Sequence, residues 1–191
     1  MIRAALLALL IAMPAAAQSV RPADRDRLEG FDALFGRAIR EALAEGAPAD
    51  QDVLVRALQG QAGPLDPVGD WSCRTIKMAR TLPLVIYAPF RCRINVVEPG
   101  VWRLEKLTGS QFTAGLIYDL GAEALYLGTG YVAGGPAMRY ADLPPDDQTP
   151  VEPGQTTADI GLFEQTGPGS ARLMLPDPIL ESDFDLLVLT R

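Results

Sequence analysis

Histidine is absent from the 191 residues. That removes the usual general base at neutral pH, the Ser-His-Asp triad and most metal centres. No G-x-S-x-G motif occurs, and Ser110 and Ser170 both fall in expected hairpin turns. Lysine is nearly absent too. Fifteen arginines stand against two lysines, a balance that, with abundant Ala, Gly and Pro, points to a GC-rich bacterial genome. Long apolar runs are also missing. A helical membrane span needs about 20 apolar residues, whereas the run Ala4 to Met13 stops at Pro14. The greasiest later stretch, Leu82 to Phe90, is strand length and carries two prolines. No metal, cofactor or catalytic residue is expected on these grounds.

The N-terminus has an address. Arg3, the apolar run, Pro14 and Ala15-Ala16-Ala17 form a charged segment, an apolar segment and a small-x-small cleavage site, the order of a secretory signal peptide. No cysteine follows the apolar run, which closes the lipoprotein route. The expected mature protein begins near Gln18 and is periplasmic. Without Arg3 it carries 16 basic and 24 acidic side chains, a net charge of −8. That balance argues against a nucleic-acid partner.

The two cysteines, Cys73 and Cys92, are most simply a disulfide in an exported chain. It would close a loop of about 20 residues and contribute on the order of 3 kcal/mol. Redox pairs sit two residues apart, and zinc wants more ligands than two thiols.

Apolar residues recur at helical spacing from Pro22 to Glu45 (Leu28, Phe31, Phe35, Ile39, Ala42), and a shorter helix is expected from Ala49 to Gln59. From Trp71 onward, short apolar runs alternate with turn signals through Phe184 to Thr190, with no helical stretch between them. The expected fold is α+β: an N-terminal helical pair packed on an antiparallel β-barrel or strongly twisted sheet of about eight strands. The divisions are a signal peptide at 1–17, a helical segment at 18–66 and a β domain at 67–191. A proline-rich loop is expected at 133–158.

Gly128-Thr129-Gly130-Tyr131-Val132-Ala133 matches G-x-G-x-x-A after a strand. A dinucleotide site needs a helix to follow, and Gly134, Gly135 and Pro136 forbid one. A strand bent by glycines is expected instead. Gly69-Asp70-Trp71 resembles the opening of calycin-type barrels, in which the tryptophan packs beneath an arginine from a late strand. Arg172 or Arg191 could serve, and Trp71 with Arg172 is a candidate barrel-end pair.

If Cys73 faces Cys92 across an antiparallel pair, Arg74 lies opposite Arg91 and Ser72 opposite Arg93. Like charges directly opposite are destabilising, so these arginines want acidic neighbours or an anion. One reading has the acidic C-terminal half neutralise them through residues such as Asp183 or Asp185. The other makes Arg74, Arg91 and Arg93 a binding face for an anionic ligand or an acidic protein surface. Asp146/Asp147 and Asp183/Asp185 are expected on solvated surface.

Four stretches carry a family resemblance: Gly69-Asp70-Trp71-Ser72-Cys73-Arg74-Thr75-Ile76-Lys77, Phe90-Arg91-Cys92-Arg93-Ile94, Trp102-Arg103-Leu104-Glu105-Lys106-Leu107-Thr108-Gly109-Ser110 and Glu181-Ser182-Asp183-Phe184-Asp185. Together the chain resembles an uncharacterised family of bacterial exported proteins known as a domain of unknown function. The resemblance implies a common fold and a shared disulfide, and no activity. The leading expectation for function is a non-enzymatic binding module for a protein partner or a small or lipidic ligand. The alternatives are a carboxylate-dependent envelope hydrolase and a structural envelope component.

Overall fold

A computed structural model describes residues 20–135 and 137–191. The expected signal peptide lies outside them. Nine strands follow three helices: β1 (Gly69–Met78), β2 (Leu84–Ile86), β3 (Phe90–Glu98), β4 (Val101–Lys106), β5 (Gln111–Asp119), β6 (Ala124–Val132), β7 (Thr157–Gly167), β8 (Ser170–Pro176) and β9 (Phe184–Thr190). From β3 onward each strand pairs antiparallel with the next, and β9 returns to pair with β1, which also pairs with β3. Eight strands thus close into an up-and-down barrel with no free edge, and β2 is an extra strand along the end of β1.

Strand alternation sorts side chains to two buried faces. Inside the barrel lie Trp71, Cys73, Cys92, Ile94, Leu104, Ile117, Tyr126, Phe163, Leu173, Leu187 and Leu189. The outer face of β1, β8 and β9 (Ile76, Met78, Met174, Phe184, Leu186) is covered by helices. These are α1 (Pro22–Glu29), α2 (Phe31–Glu45) and α3 (Pro48–Ala57). The expected helical pair is therefore a trio. The first helix breaks at Gly30, where a Cβ would come within 3.0 Å of the Asp26 carbonyl oxygen. The break lets α1 pack on β7 while α2 packs on β1, β8 and β9.

Cys73 and Cys92 form the expected disulfide, with Cα atoms 5.8 Å apart. The two residues are not directly opposite: Trp71 faces Cys92, and Cys73 faces Phe90. The register is offset by two residues from the one expected, and because strand periodicity is two, the same side chains keep the same faces.

The proline-rich loop is tied down. Tyr140, Leu143 and Met138 pack with Leu125, Leu127 and Ile160 on the outer wall. The Tyr140 hydroxyl donates to Asp24 Oδ2 at 2.7 Å and accepts from the Arg21 backbone N–H at 3.0 Å. Asp24 also takes Arg21 Nε at 2.7 Å and Arg27 Nη1 at 3.0 Å. This buried polar knot fastens α1 to the loop.

Candidate functional site: the open mouth of the barrel

The two ends of the barrel differ. At one, Arg191 lies over the Trp71 ring, 4.2 Å from its centroid, and donates to the Pro168, Val68 and Asp66 carbonyls. Trp71 Nε1 donates to the Pro67 carbonyl at 2.8 Å. That end is plugged. The expected Trp71–Arg172 pair is corrected: Arg172 is bound by Glu164 and by the carbonyls of Ala57, Gln59 and Gly60 at the end of α3. Its position on β8 turns it outward, next in sequence to the inward-facing Ala171 and Leu173.

The other end is open. A cavity of about 130 Å³ enters the barrel between β1, β4, β5, β7 and β9 and the β8–β9 loop. Its wall is apolar at Leu175, Leu187 and Phe90, and Ile179 and Leu180 stand at its rim. Its acidic and basic lining is Lys77, Lys106, Asp159 and Asp185. They include both of the lysines in the chain.

Each is placed by strand parity. Lys77 follows Trp71 and Cys73 on the inward face of β1. Its Nζ donates to Glu181 Oε2 at 2.5 Å and to Gln111 Oε1 at 3.1 Å. Burial disfavours its charge, but attraction to Asp185 and the Glu181 hydrogen bond outweigh that and raise its pKa. Lys106 ends β4. Its Nζ donates to the Gln111 carbonyl at 2.5 Å and lies 3.9 Å from the centroid of the Phe90 ring. No carboxylate of the described residues forms an ion pair with it. Burial and the neighbouring Lys77 charge push its pKa down to about 8.

Asp185 heads the inward face of β9, and its Oδ1 accepts the Ser182 hydroxyl at 2.6 Å. Burial pushes its pKa up to about 7 despite the pull of Lys77 and Ser182. Asp159, on β7, is half-buried in the cavity lining, and burial raises its pKa as well. Gly130 makes room for it: a Cβ there would fall 2.8 Å from Asp159 Oδ1. Below them the Thr113 and Tyr126 hydroxyls pair at 2.9 Å. Gly115 and Gly128 sit opposite each other and admit the Tyr126 ring, which a Cβ on either would strike. The glycine motif of β6 therefore shapes the barrel interior, and the strand runs on to Val132 and into a turn at 133–134, with no α-helix after it among the described residues.

Strained backbone gathers here too. Among the described residues five non-glycines have positive φ: Ala79, Arg80, Gln155, Asp177 and Glu181. All five stand at the mouth, on the β1–β2 turn, the β8–β9 loop or the cavity lining. Arg80 clamps the β8–β9 loop through Asp177 Oδ1 and through Asp183 Oδ1 at 2.8 Å. Such outliers cost about 1–3 kcal/mol each and persist where surrounding contacts hold them.

The expected basic face lies on the outer wall and is not one unit. Arg93 faces Asp70 and pairs with it at 2.6 Å. Arg91 faces Ser72, and Arg74 faces Val188 on the opposite side of β1. The acid that pairs with Arg93 is thus Asp70 rather than Asp183 or Asp185. Asp183 serves Arg80, and Asp185 is inside the barrel instead of on solvated surface.

The molecule is a small closed antiparallel barrel, plugged at one end, helix-clad on one side, with an ionisable cavity at the other end. It belongs to the family described as a domain of unknown function, DUF4893, whose model matches residues 17–189. No match was found among curated proteins or among solved structures. The four stretches that carry the resemblance meet at the mouth, where they supply Lys77, Phe90, Lys106, Glu181 and Asp185.

Proposed function

We propose that the protein is an exported, periplasmic binding module whose barrel mouth takes a small organic ligand. One observation carries this reading: both lysines and Asp185 are buried, and Asp159 half-buried, around one open cavity instead of at the surface. Burying charge is costly, and clusters of perturbed titratable groups in a cleft mark functional sites. The size of the cavity indicates the ligand. About 130 Å³ is close to the volume that holds one benzene-sized molecule.

A second reading, hydrolysis with two carboxylates, draws on Asp159 and Asp185 lining the same cavity. Glycoside chemistry needs such a pair about 5–10 Å apart. The narrow cavity favours a compact ligand over a polymer chain.

Native mass spectrometry on protein secreted to the periplasm tests the proposal. The wild type should carry a small molecule, and Thr75→Trp, which fills the cavity beside Leu187, should not. Replacing Arg74, Arg91 and Arg93 together by Gln should leave occupancy unchanged. Loss with the arginine variant and retention in Thr75→Trp would place binding on the outer wall and refute the mouth.

A further inference from the structure

We infer that Lys106 is a nucleophilic amine that captures a small aldehyde or ketone as an imine inside the barrel. The inference rests on the mouth being the ligand site and names the class of ligand it takes.

The first support is the choice of cation. Arginine supplies every other basic side chain, including the buried Arg21, Arg27 and Arg172. Arginine stays protonated and suits a fixed charge, whereas an ammonium can give up its proton when buried. The fold therefore uses arginine where it holds a buried carboxylate in the α1 knot and spends its two lysines at one cavity. Lys77 is matched by Glu181. Lys106 is not matched by any described carboxylate, and its one hydrogen bond is to a carbonyl that a neutral amine can equally serve. An amine desolvated in the cavity wall beside a second cation is a setting that activates a lysine toward carbonyl carbon.

The electrostatics agree. Lowering the pKa from 10.5 to about 8 raises the neutral fraction at pH 8 from about one in three hundred to about one half. The charged groups that share the cavity with this amine are Lys77 from β1, Asp159 from β7 and Asp185 from β9; Glu181 of the β8–β9 loop is held on Lys77, and Lys77 is the charge that acts on Lys106.

The chemistry balances without a further reactant. The Lys106 nitrogen lone pair attacks the carbonyl carbon, and the C=O π pair moves to oxygen. The oxygen takes one proton from the nitrogen to give a carbinolamine. The C–O bond then breaks as nitrogen forms the C=N bond, and the second nitrogen proton leaves with the oxygen as water. Asp159 and Asp185, in the same cavity, are the groups available to move these protons. Leu175 and Leu187 would hold the apolar body of the ligand.

The test treats the folded, disulfide-bonded protein with benzaldehyde and sodium cyanoborohydride at pH 8, followed by peptide mass mapping. One benzyl group per chain should appear on Lys106, on the order of a hundredfold faster than on N-acetyl-lysine. Lys106→Arg and Lys106→Met should both fold, by their melting curves, and lose this labelling. The outer-wall variant with Arg74, Arg91 and Arg93 replaced by Gln should keep it. Benzyl alcohol, which cannot form an imine, should raise the melting temperature of the wild type. Benzyl alcohol binding without labelling of Lys106 would overturn the imine and leave the mouth as a non-covalent site. Labelling at the free-lysine rate, spread over Lys77, Lys106 and the N-terminus, would overturn it as well. Neither binding nor labelling would refute the proposed function along with it.

Discussion

Asp185 shows how a single side chain records the character of the site. Its carboxyl titrates near 7 in the folded protein against 3.8 for the free group. Between those values the native state holds a proton that the unfolded chain has released, so folding stability falls as pH rises through this window. At about 1.4 kcal/mol per unit, the loss is of the order of a few kcal/mol. Asp185→Asn keeps an acceptor for Ser182 and removes the titration. Urea melts from pH 4 to 8 should show the variant gaining on wild type as pH rises, and a constant difference would contradict the assignment. The sequence does not reveal this residue. Phe184, Leu186 and Val188 alternate cleanly and read as the core face of β9, leaving Asp185 on the polar side. In the barrel those three face the helices, and the interior is the other face, where Leu187 and Leu189 follow Asp185. The legible signal was a strand apolar on both faces. Likewise Lys106 lies in a run, Val101 to Thr108, whose alternation leaves its inward face open.

Among the elements, the strands are the most legible because turn residues punctuate them. β9 falls on the expected residues, Phe184 to Thr190, and the barrel and disulfide follow the expected plan. Register is not legible: Cys73 and Cys92 can bridge directly or diagonally, and the closed barrel selects the diagonal. The break at Gly30 is hidden because α1 is anchored by charge rather than by an apolar face. Asp24, itself fully buried, is held by Arg21, Arg27, Tyr140 and Gln148. Removing one partner from a buried ion network typically costs about 3–5 kcal/mol. Asp24→Asn should destabilise the protein by about that amount in denaturant unfolding, and a cost below about 1 kcal/mol would show that the knot contributes little beyond its neighbours' packing.

For the whole molecule, the division of labour is between two ends of one barrel. Trp71, Arg191 and the disulfide make a closed, rigid floor. The four family-like stretches, distant in sequence, bring ionisable groups and strained turns to the open end. The acidic surface leaves the mouth as the one place where both lysines meet. The charge state of those lysines is therefore the most direct test of the account. With lysine isotope-labelled at Cε, an NMR titration should show two resonances, since the chain has two lysines. One should titrate near 8 and vanish in Lys106→Arg, while the other remains charged beyond pH 10.5. Two resonances that both titrate at the value of free lysine would contradict the account, because neither amine would then be held in a desolvated site.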